Sequence, residues 1–456
     1  MAEPTSSSGG DLWGKIHRWV EIHPHWTITL AVFAALGPFL AKPFNIDDPL
    51  FVWAAGQIQA HPVNPYGFNV NWYGELQPMA SVTENPPLMC YYLALAAGIF
   101  GRNEIGLHFA CLLPAVVVVL GTYRLARNCC RWPLFAALAT MFTPGFLVSG
   151  TSVMCDVSLL AFWIWAVVFW TEGIRQHNGW KLSAAGTLVA LALLTKYYGV
   201  CLIPLLAVHG WLERRTAVRW AAYLLIPVAA FCAYEWLTLQ LYGQPLFVAA
   251  THYVKSLQTS HRISSLVKVA NALTFTGGGF AIALFCAPFL WRKRVLAMLA
   301  AGAGAFTALA LASGMMAKNY AWFDETVCIR AEIQILFWSV GGVCVLALAL
   351  ADVRQKRDSS SGLLLLWVLG TFLFASFVNW TVNVRSLLPI APAIAILIAR
   401  RLEQNKPRLP GGIKSALVAS AAFSLLAAQS DFMLASAVRQ NAKQVCAKYA
   451  TASRTL

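Results

Sequence analysis

Charged residues are scarce in this 456-residue chain, and acidic residues are the rarer kind. Only 12% of the residues are charged, with 19 Asp and Glu against 34 Lys and Arg, while 59% are hydrophobic. A soluble protein of this length cannot bury so much apolar surface. Because the repeated apolar runs are long enough to cross a bilayer, the composition indicates a polytopic membrane protein.

Features that mark several other protein classes are also missing. The eleven Cys residues form no CxxC motif and no Cys/His metal spacing. We therefore expect them to be free, small apolar residues, with Cys129 and Cys130 on the reducing side of the membrane. No internal repeat of the inverted kind common in secondary transporters is evident. Residues 1–10 do not resemble a cleavable signal, so the first apolar run, after Lys15 and Arg18, is expected to act as a signal anchor.

Six basic clusters lie between the apolar runs. Positively charged loops remain in the cytoplasm, so the alternate gaps, which hold the conspicuous acidic sites, are expected to face outside. The net charge of +15 then reflects topology and lipid headgroups rather than nucleic acid. The clusters are Arg124-Arg127-Arg131, Arg175-Lys181, Arg214-Arg215-Arg219, Arg292-Lys293-Arg294, Arg354-Lys356-Arg357 and Arg400-Arg401-Lys406-Arg408.

The apolar runs predict an all-α fold with about thirteen transmembrane helices. Residues 86–101 are apolar but fewer than the roughly 20 that a span needs. Counting them as a span would place all six basic clusters outside, so we expect an interfacial helix there. The predicted spans are 26–42, 106–124, 133–149, 156–173, 182–196, 197–212, 220–242, 267–291, 295–317, 332–351, 362–378, 386–400 and 414–434.

This topology divides the chain into three parts. A cytoplasmic N-terminal segment covers residues 1–25, a transmembrane domain covers 26–434, and an outer C-terminal tail covers 435–456. Within the domain, residues 43–105 form an extracytoplasmic juxtamembrane loop. Its turn residues and two amphipathic stretches predict two or three helices in the membrane interface.

Two adjacent acids, Asp47 and Asp48, follow the first span and precede a proline. Their repulsion near a low-dielectric boundary is expected to raise the pKa of one carboxyl, which suits a general base or a metal ligand. The alternative is a helix N-cap, since Asp before Pro is common at helix starts.

Further polar residues flank the other apolar runs. Two prolines follow Glu84 and Asn85 and fix where these side chains point, although a simple helix start is the alternative. Asp156 opens the fourth span, where an acid must be solvated, paired or capping. Glu235 lies inside a span near its outer end, and we expect it to be paired or to line a cavity.

Two cations and one imidazole share the outer side with these acids. Lys196 either snorkels to the interface or holds a lipid phosphate. His252 is either solvated or a metal ligand, and Arg385 suits a bidentate clamp on a phosphate or carboxylate. Together these residues suit transfer from a lipid-phosphate donor, in which cations hold the phosphate and a carboxylate deprotonates or orients the acceptor.

In order and motif the chain resembles the GT-C glycosyltransferases, specifically the group of dolichyl-phosphate-mannose protein mannosyltransferases and aminoarabinose transferases. Asp47-Asp48 follows the first span, as that group's acidic loop motif does. Glu84-Asn85-Pro86-Pro87-Leu88 is similar to the Glu-Lys-Pro-Pro-Leu segment of aminoarabinose transferases. Asp156 opens a span as a family Asp does, and Leu194-Thr195-Lys196 looks like the group's Leu-Thr-Lys. His252 resembles the group's His, and Arg385-Ser386-Leu387-Leu388-Pro389 resembles an Arg-Tyr-x-Leu-Pro ending.

The resemblance implies an enzyme of the bacterial inner membrane with its active site facing the periplasm. It would move a sugar from a polyprenyl-phosphate-linked donor to an extracytoplasmic lipid, glycan or protein, with inversion. Asp47, Asp48 and Asp156 would be the catalytic acids, and Lys196, Arg385 and Asn85 would bind the donor phosphate. Glu84 and His252 would share a divalent metal ion, which this group uses unevenly.

Two residues depart from the pattern of the group. Asn85 stands where a Lys would contact the lipid phosphate, so that role passes to Lys196 or Arg385. Ser386 stands where a Tyr is usual.

Two other functions also suit an apolar chain. A transporter or lipid flippase predicts charges near the bilayer midplane and broken helices in related halves, whereas the charges of this chain lie at one surface. A non-catalytic lipid-binding protein is the third hypothesis. Consumption of a lipid-linked sugar by the purified protein discriminates among the three.

Overall fold

The computed structural model of the chain describes residues 19–83, 85–214, 218–260, 264–313, 325–379, 381–405 and 411–450. Within these residues the chain is almost entirely α-helical, which confirms the predicted fold class. One antiparallel hairpin joins β1 (Asn69–Asn71) to β2 (Leu76–Pro78), with Val70 opposite Gln77.

The helices of the N-terminal half begin at sequence signals that are easy to recognise. Asn103, Thr143 and Asn178 each accept a hydrogen bond from a backbone N–H in the first turn of the helix that follows, as N-cap residues do. These helices are α1 (Pro24–Leu36), α2 (Asp48–Ala60), α3 (Met79–Val82), α4 (Leu88–Phe100), α5 (Glu104–Cys129), α6 (Pro133–Met141), α7 (Pro144–Gly150), α8 (Asp156–Gln176), α9 (Gly179–Thr195) and α10 (Leu202–Glu213).

The helices of the C-terminal half range from 4 to 40 residues. They are α11 (Leu225–Tyr242), α12 (Leu246–Ser260), α13 (Ser265–Gly279), α14 (Ile282–Leu290), α15 (Lys293–Ala312), α16 (Glu325–Lys356), α17 (Ser359–Leu373), α18 (Val384–Leu387), α19 (Ala391–Asn405) and α20 (Gly411–Ala450). A 3₁₀ turn, Tyr197–Cys201, links α9 to α10, and a π-helical turn, Phe374–Val378, follows α17. The α20 helix continues unbroken across residue 434, where the transmembrane domain was predicted to end.

Fewer helices than predicted are long enough to cross a bilayer. By length and composition, seven helices of the described residues qualify, or nine if the bent pairs α6–α7 and α13–α14 each count as one span. The count of thirteen is therefore not confirmed. The predicted spans 26–42, 197–212 and 386–400 contain helices of 13, 12 and 15 residues. At 1.5 Å per residue these are about 20 Å long, against a hydrocarbon core of about 30 Å.

The helix bundle is built around α8. Of the most apolar stretch of α8, 83% is buried, against 28% for that of α20. Trp163 and Trp170 on α8 are buried, and Trp163 stacks on Trp367 of α17 with ring centroids 6.2 Å apart. Because α8 is the central helix and begins at Asp156, that carboxylate lies in the middle of one end of the bundle.

The juxtamembrane loop packs at this same end as a second core. It consists of α2, the hairpin, α3 and α4, and it buries Phe51, Tyr66, Met79 and Leu93 together with Val153, which precedes α8. The three helices agree with the predicted two or three, whereas the hairpin was not predicted. A second difference lies in residues 243–266, which were expected to form a loop and contain the α12 helix.

Candidate active site

Asp47 forms an ion pair with Arg385, although 338 residues separate them. Nη1 and Nη2 of Arg385 each lie 3.2 Å from Oδ2 of Asp47. Asp47 precedes α2, but its side chain makes no capping hydrogen bond. Arg385 is held by a capping box at the start of α18, in which the side chain of Asn383 accepts from the backbone N–H of Ser386. The carboxylate of Asp47 is therefore directed at a cation and not at its own helix.

Asp48 has different surroundings from its neighbour. It is fully buried, and its two oxygens accept hydrogen bonds from the backbone N–H groups of Asn45 and Val153, each at 3.1 Å. Burial raises the pKa of the Asp48 carboxyl to about 6, against the lowering effect of these hydrogen bonds and of Lys42. Repulsion by Asp47, the expected cause, contributes least.

A second ion pair joins the start of α8 to the end of α9. Nζ of Lys196 lies 2.8 Å from Oδ1 of Asp156, whose side chain is only 3% exposed. The second oxygen of Asp156 has no hydrogen-bond partner among the described residues. Lys196 leaves α9 in an extended conformation before the 3₁₀ turn, which directs its side chain back across the end of α8.

Both ion pairs border one cavity of about 430 Å³, here named the polar cavity. One wall carries cations, carboxamides and a carboxylate, and the other is formed by α12 and the π-helical turn. Met154 lies between the two ion pairs, and its sulfur accepts a hydrogen bond from Nη1 of Arg385 at 2.6 Å. The polar lining residues are Asp47, Asn85, Lys196, Thr251, Lys255, Gln258, Asn379, Asn383, Arg385 and Ser386.

A smaller cavity of about 150 Å³ adjoins the polar cavity and is here named the aromatic cavity. Asp47, Asn85 and Met154 line both. The aromatic cavity adds Tyr66 and, from the hairpin, Trp72. Because Asp47 borders both spaces, a group bound in either one can reach the same carboxylate.

The structure brings six of the eight predicted site residues to this end of the bundle. Asp47, Asp48, Asp156, Lys196 and Arg385 are connected as described, and Asn85 lines both cavities. Glu84 lies outside the described residues. His252 lies on α12 and is exposed.

The predicted metal ion has no complete ligand set in the part of the chain that the structure describes. No group of three or more His, Cys, Asp or Glu side chains is arranged there to hold a metal. His252 alone does not make a site, since a metal bound by one imidazole needs further protein ligands. The Glu84–His252 pair stays a prediction.

Sequence reasoning missed the residues that shape the cavity walls. Met154 gave no signal, because an apolar residue next to a span is ordinary. Glu235 was recognised as paired or cavity-lining, but its partners could not be named: it accepts hydrogen bonds from the Tyr197 hydroxyl and from the backbone N–H of Phe247, both at 3.0 Å. Through these contacts Glu235 joins α11 to α12 and to the turn that follows Lys196.

Part of the chain matches the model of a known protein family. Residues 84–238 match the family model of the dolichyl-phosphate-mannose-protein mannosyltransferases. The matched segment contains Asn85, Asp156 and Lys196, but neither Asp47 nor Arg385. A comparison with curated proteins finds no match.

Several solved structures are similar to the chain. One is the oligosaccharyltransferase of Archaeoglobus fulgidus tethered with an acceptor peptide, with 15% identity and a TM-score of 0.52 over 91% of this chain and 56% of that one. This chain thus spans just over half the length of that enzyme. ArnT from Cupriavidus metallidurans, bound to undecaprenyl phosphate, has 17% identity and a TM-score of 0.45 over 84% of this chain and 77% of that one. The arabinosyltransferase EmbB from Mycobacterium smegmatis has 16% identity and a TM-score of 0.36 over 90% and 40%.

The archaeal enzyme shows that the fold is shared, while the family model covers residues 84–238, from just before α4 to within α11. Together the two findings show that the chain shares its fold with that oligosaccharyltransferase and contains a segment similar to the dolichyl-phosphate-mannose-protein mannosyltransferases.

Proposed function

We propose that the protein transfers a sugar from a polyprenyl-phosphate-linked donor to a hydroxyl of an acceptor at the outer face of a membrane, with inversion. One observation carries the proposal: Lys196, Arg385 and Asp47 line a single cavity. The description of the matching family names dolichyl-phosphate-mannose, a sugar on a polyprenyl phosphate.

The donor phosphate would lie between Lys196 and Arg385. Arg385 has five N–H donors in a planar fork, so it can bind a phosphate oxygen while it keeps its ion pair with Asp47. Asn85 adds a neutral carboxamide to the same cavity, where the resemblance led us to expect a Lys. Asp156 acts through Lys196, because its buried carboxylate contacts the ammonium group and fixes its position.

A hydrocarbon chain attached to this phosphate has a place to lie. An apolar cavity of about 510 Å³, here named the donor groove, runs between α10 and α17. Phe374 and Val378 line both the donor groove and the polar cavity. A lipid with its phosphate at Arg385 can therefore extend its chain past the π-helical turn.

Asp47 is the proposed general base, and Asp48 is not. Asp47 is partly exposed and borders both the polar and the aromatic cavity, whereas both oxygens of buried Asp48 are occupied by backbone N–H groups. Asp47 would take the proton of the acceptor hydroxyl as its oxygen forms a bond to the anomeric carbon. The bond from that carbon to the phosphate oxygen breaks on the opposite face, and polyprenyl phosphate leaves with one more negative charge, which Lys196 and Arg385 stabilise.

The acid is tested by Asp47→Asn in the purified full chain, with a radiolabelled polyprenyl-phosphate sugar and a membrane extract as the acceptor source. Turnover should fall at least about 100-fold, the usual scale for loss of a general base, while the donor KM changes little. Asp48→Asn serves as the matched control and should retain more turnover than Asp47→Asn. Normal turnover in Asp47→Asn would rule out its role as base.

The cations are tested by Lys196→Ala and Arg385→Ala. Loss of one charge-assisted contact costs about 1.5–3 kcal/mol, so the donor KM should rise about tenfold or more. Lys443→Ala, which removes an exposed cation of α20 away from the cavity, should leave it unchanged. An unchanged donor KM in both cavity variants would contradict the assignment of the phosphate site.

A further inference from the structure

A second apolar space, which shares no lining residue with the donor groove, also lies near the ion pairs. This cleft of about 350 Å³, here named the outer cleft, is formed by α4, α5 and α8. At its edge, Leu95 and Leu113 are 72% and 60% exposed. Because α5 is long and apolar enough to span a bilayer, this edge faces lipid.

The hydroxyls that line the outer cleft leave no free hydrogen-bond donor for an occupant. The hydroxyls of Tyr91 and Tyr92 donate to the carbonyls of Pro62 and Ala110. The Ser158 hydroxyl donates to the sulfur of Met89, and the Thr195 hydroxyl donates to the carbonyl of Leu191. Since all four hydroxyls that line the cleft are already hydrogen-bonded within the protein, the cleft suits a hydrocarbon chain and not a sugar or a peptide.

Three segments connect the outer cleft to the proposed reaction centre. Thr195 lines the cleft, and the next residue, Lys196, lines the polar cavity. Ser158 lies two residues after Asp156. At the start of α4, Leu88 lines the cleft and Asn85 lines the polar and aromatic cavities, so at most about 11 Å of chain separates them.

We propose that the acceptor is itself a lipid, with one hydrocarbon chain in the outer cleft and its hydroxyl-bearing headgroup at Asp47 in the aromatic cavity. This inference rests on the proposed function. The donor groove and the outer cleft flank one polar cavity, and each adjoins it through shared or neighbouring residues. Two apolar compartments are what a transfer between two lipids requires, whereas a soluble acceptor would need only the donor groove.

Two variants narrow the outer cleft. Ala161→Phe fills it from α8, and Leu113→Trp blocks its exposed edge without changing the core. Ile105→Trp is the matched control, because it places the same side chain on the same helix at an exposed position outside the cleft lining. Each purified variant is assayed in nanodiscs with the lipid-linked donor, and acceptors are supplied either as a lipid extract of membranes or as the water-soluble glycans and peptides of the same cells.

The expected result is transfer to the lipid extract. The acceptor KM should be about tenfold higher in both cleft variants than in the wild type, because that is the effect of excluding about two methylene groups from the cleft. The donor KM and the Ile105→Trp control should not change. A higher donor KM in the cleft variants would overturn the inference, because the cleft would then hold the donor chain. Transfer to the water-soluble fraction alone would also overturn it, while the proposed function would stand.

A second measurement does not depend on turnover. Phosphatidylglycerol with a diazirine in its acyl chain should label residues of the outer cleft in the wild type, and mass spectrometry should show less labelling there in Ala161→Phe. Equal labelling in both proteins would mean that no chain enters the cleft, which would contradict the inference. If no donor sugar is consumed under any condition, the proposed function itself fails, and the inference fails with it.

Discussion

At the scale of single residues, the sequence identifies the charged side chains of the site but not their partners. Asp47, Asp156, Lys196 and Arg385 stand out because charge is rare beside apolar runs. Their pairing depends on which helix ends meet, and Arg385 lies far along the chain from Asp47. Asp47 and Asp48 look equivalent in the sequence, and only burial distinguishes the accessible carboxylate from the enclosed one.

The buried carboxyl of Asp48 predicts a specific dependence of stability on pH. Its pKa is about 6 in the folded protein and near 3.8 when exposed. The folded state therefore holds the proton more tightly, so its stabilising contribution is complete below about pH 4 and is lost as pH rises through 6. Over that window the free energy of unfolding should fall by about 3 kcal/mol from this group.

The difference in thermal unfolding temperature between the wild type and Asp48→Asn reports this contribution. As pH rises from 4 to 6, the unfolding temperature of the wild type should fall relative to that of Asp48→Asn. Above about pH 7 the difference should stay constant. Asp47→Asn provides the comparison, because it removes the neighbouring carboxylate, which is partly exposed. A difference that does not vary with pH would mean that Asp48 is not protonated in the folded protein in this range.

At the scale of elements, long apolar helices are predictable, and short helices that carry polar residues are harder to recognise. The α12 helix was read as a loop because it is too polar to span a membrane. Its cavity-lining residues 247, 250, 251, 254 and 258 nonetheless recur at helical spacing, so a search for period 3.6 would have found it. The hairpin has strands of three residues each, too short to give a recognisable alternation.

The position of α12 should depend on Glu235, which accepts hydrogen bonds from its first turn and from Tyr197. Glu235→Ala leaves the Phe247 N–H without this partner and releases the wall of the polar cavity, so the donor KM should rise roughly fivefold to tenfold. The value of kcat should change less, because Glu235 does not line the cavity. Tyr197→Phe, which removes one of the two contacts, should give a smaller effect.

Gln240→Ala changes an exposed residue on the same helix, α11, and controls for general damage to it. A donor KM that stays normal in Glu235→Ala would show that α12 is held by its other contacts. They include the hydrogen bond from the Leu246 N–H to Thr238 and those from Gln258 to carbonyls of residues 377–379.

At the scale of the whole molecule, the ion pairs sort into two ends. Lys196–Asp156, Arg385–Asp47, Lys42–Asp431 and Arg439–Glu104 join residues near or beyond the predicted outer ends of the spans. Pairs such as Arg124–Glu172, Arg175–Glu213 and Arg400–Asp352 join segments at the basic clusters. None of the ion pairs described connects one end with the other, which agrees with the topology that the basic clusters predict.

Two of these pairs bear on whether residues 43–103 cross the membrane. Lys42 and Glu104 flank this segment, and both pair with α20, at Asp431 and Arg439. Asp431 and Arg439 are eight residues apart on one helix, or about 12 Å along its axis, which is far less than the roughly 30 Å of the hydrocarbon core. The segment therefore begins and ends at the same side, as expected for an interfacial α4.

Cysteine labelling in sealed, oriented vesicles tests this arrangement directly. Cys446, which is native and exposed on α20, should react with a membrane-impermeant maleimide from the same side as Tyr73→Cys in the hairpin. Trp180→Cys, at the start of α9 beside the basic residues Arg175 and Lys181, should react only from the opposite side. Cys446→Ser measures the background labelling of the remaining cysteines. The other described cysteines are buried or partly buried, except Cys232, which lies within a helix apolar enough to span the bilayer. Labelling of Tyr73→Cys and Trp180→Cys from one side would mean that α5, the bent pair α6–α7 and α8 do not make the three crossings inferred between these positions. The juxtamembrane core would then lie on the side of the basic clusters.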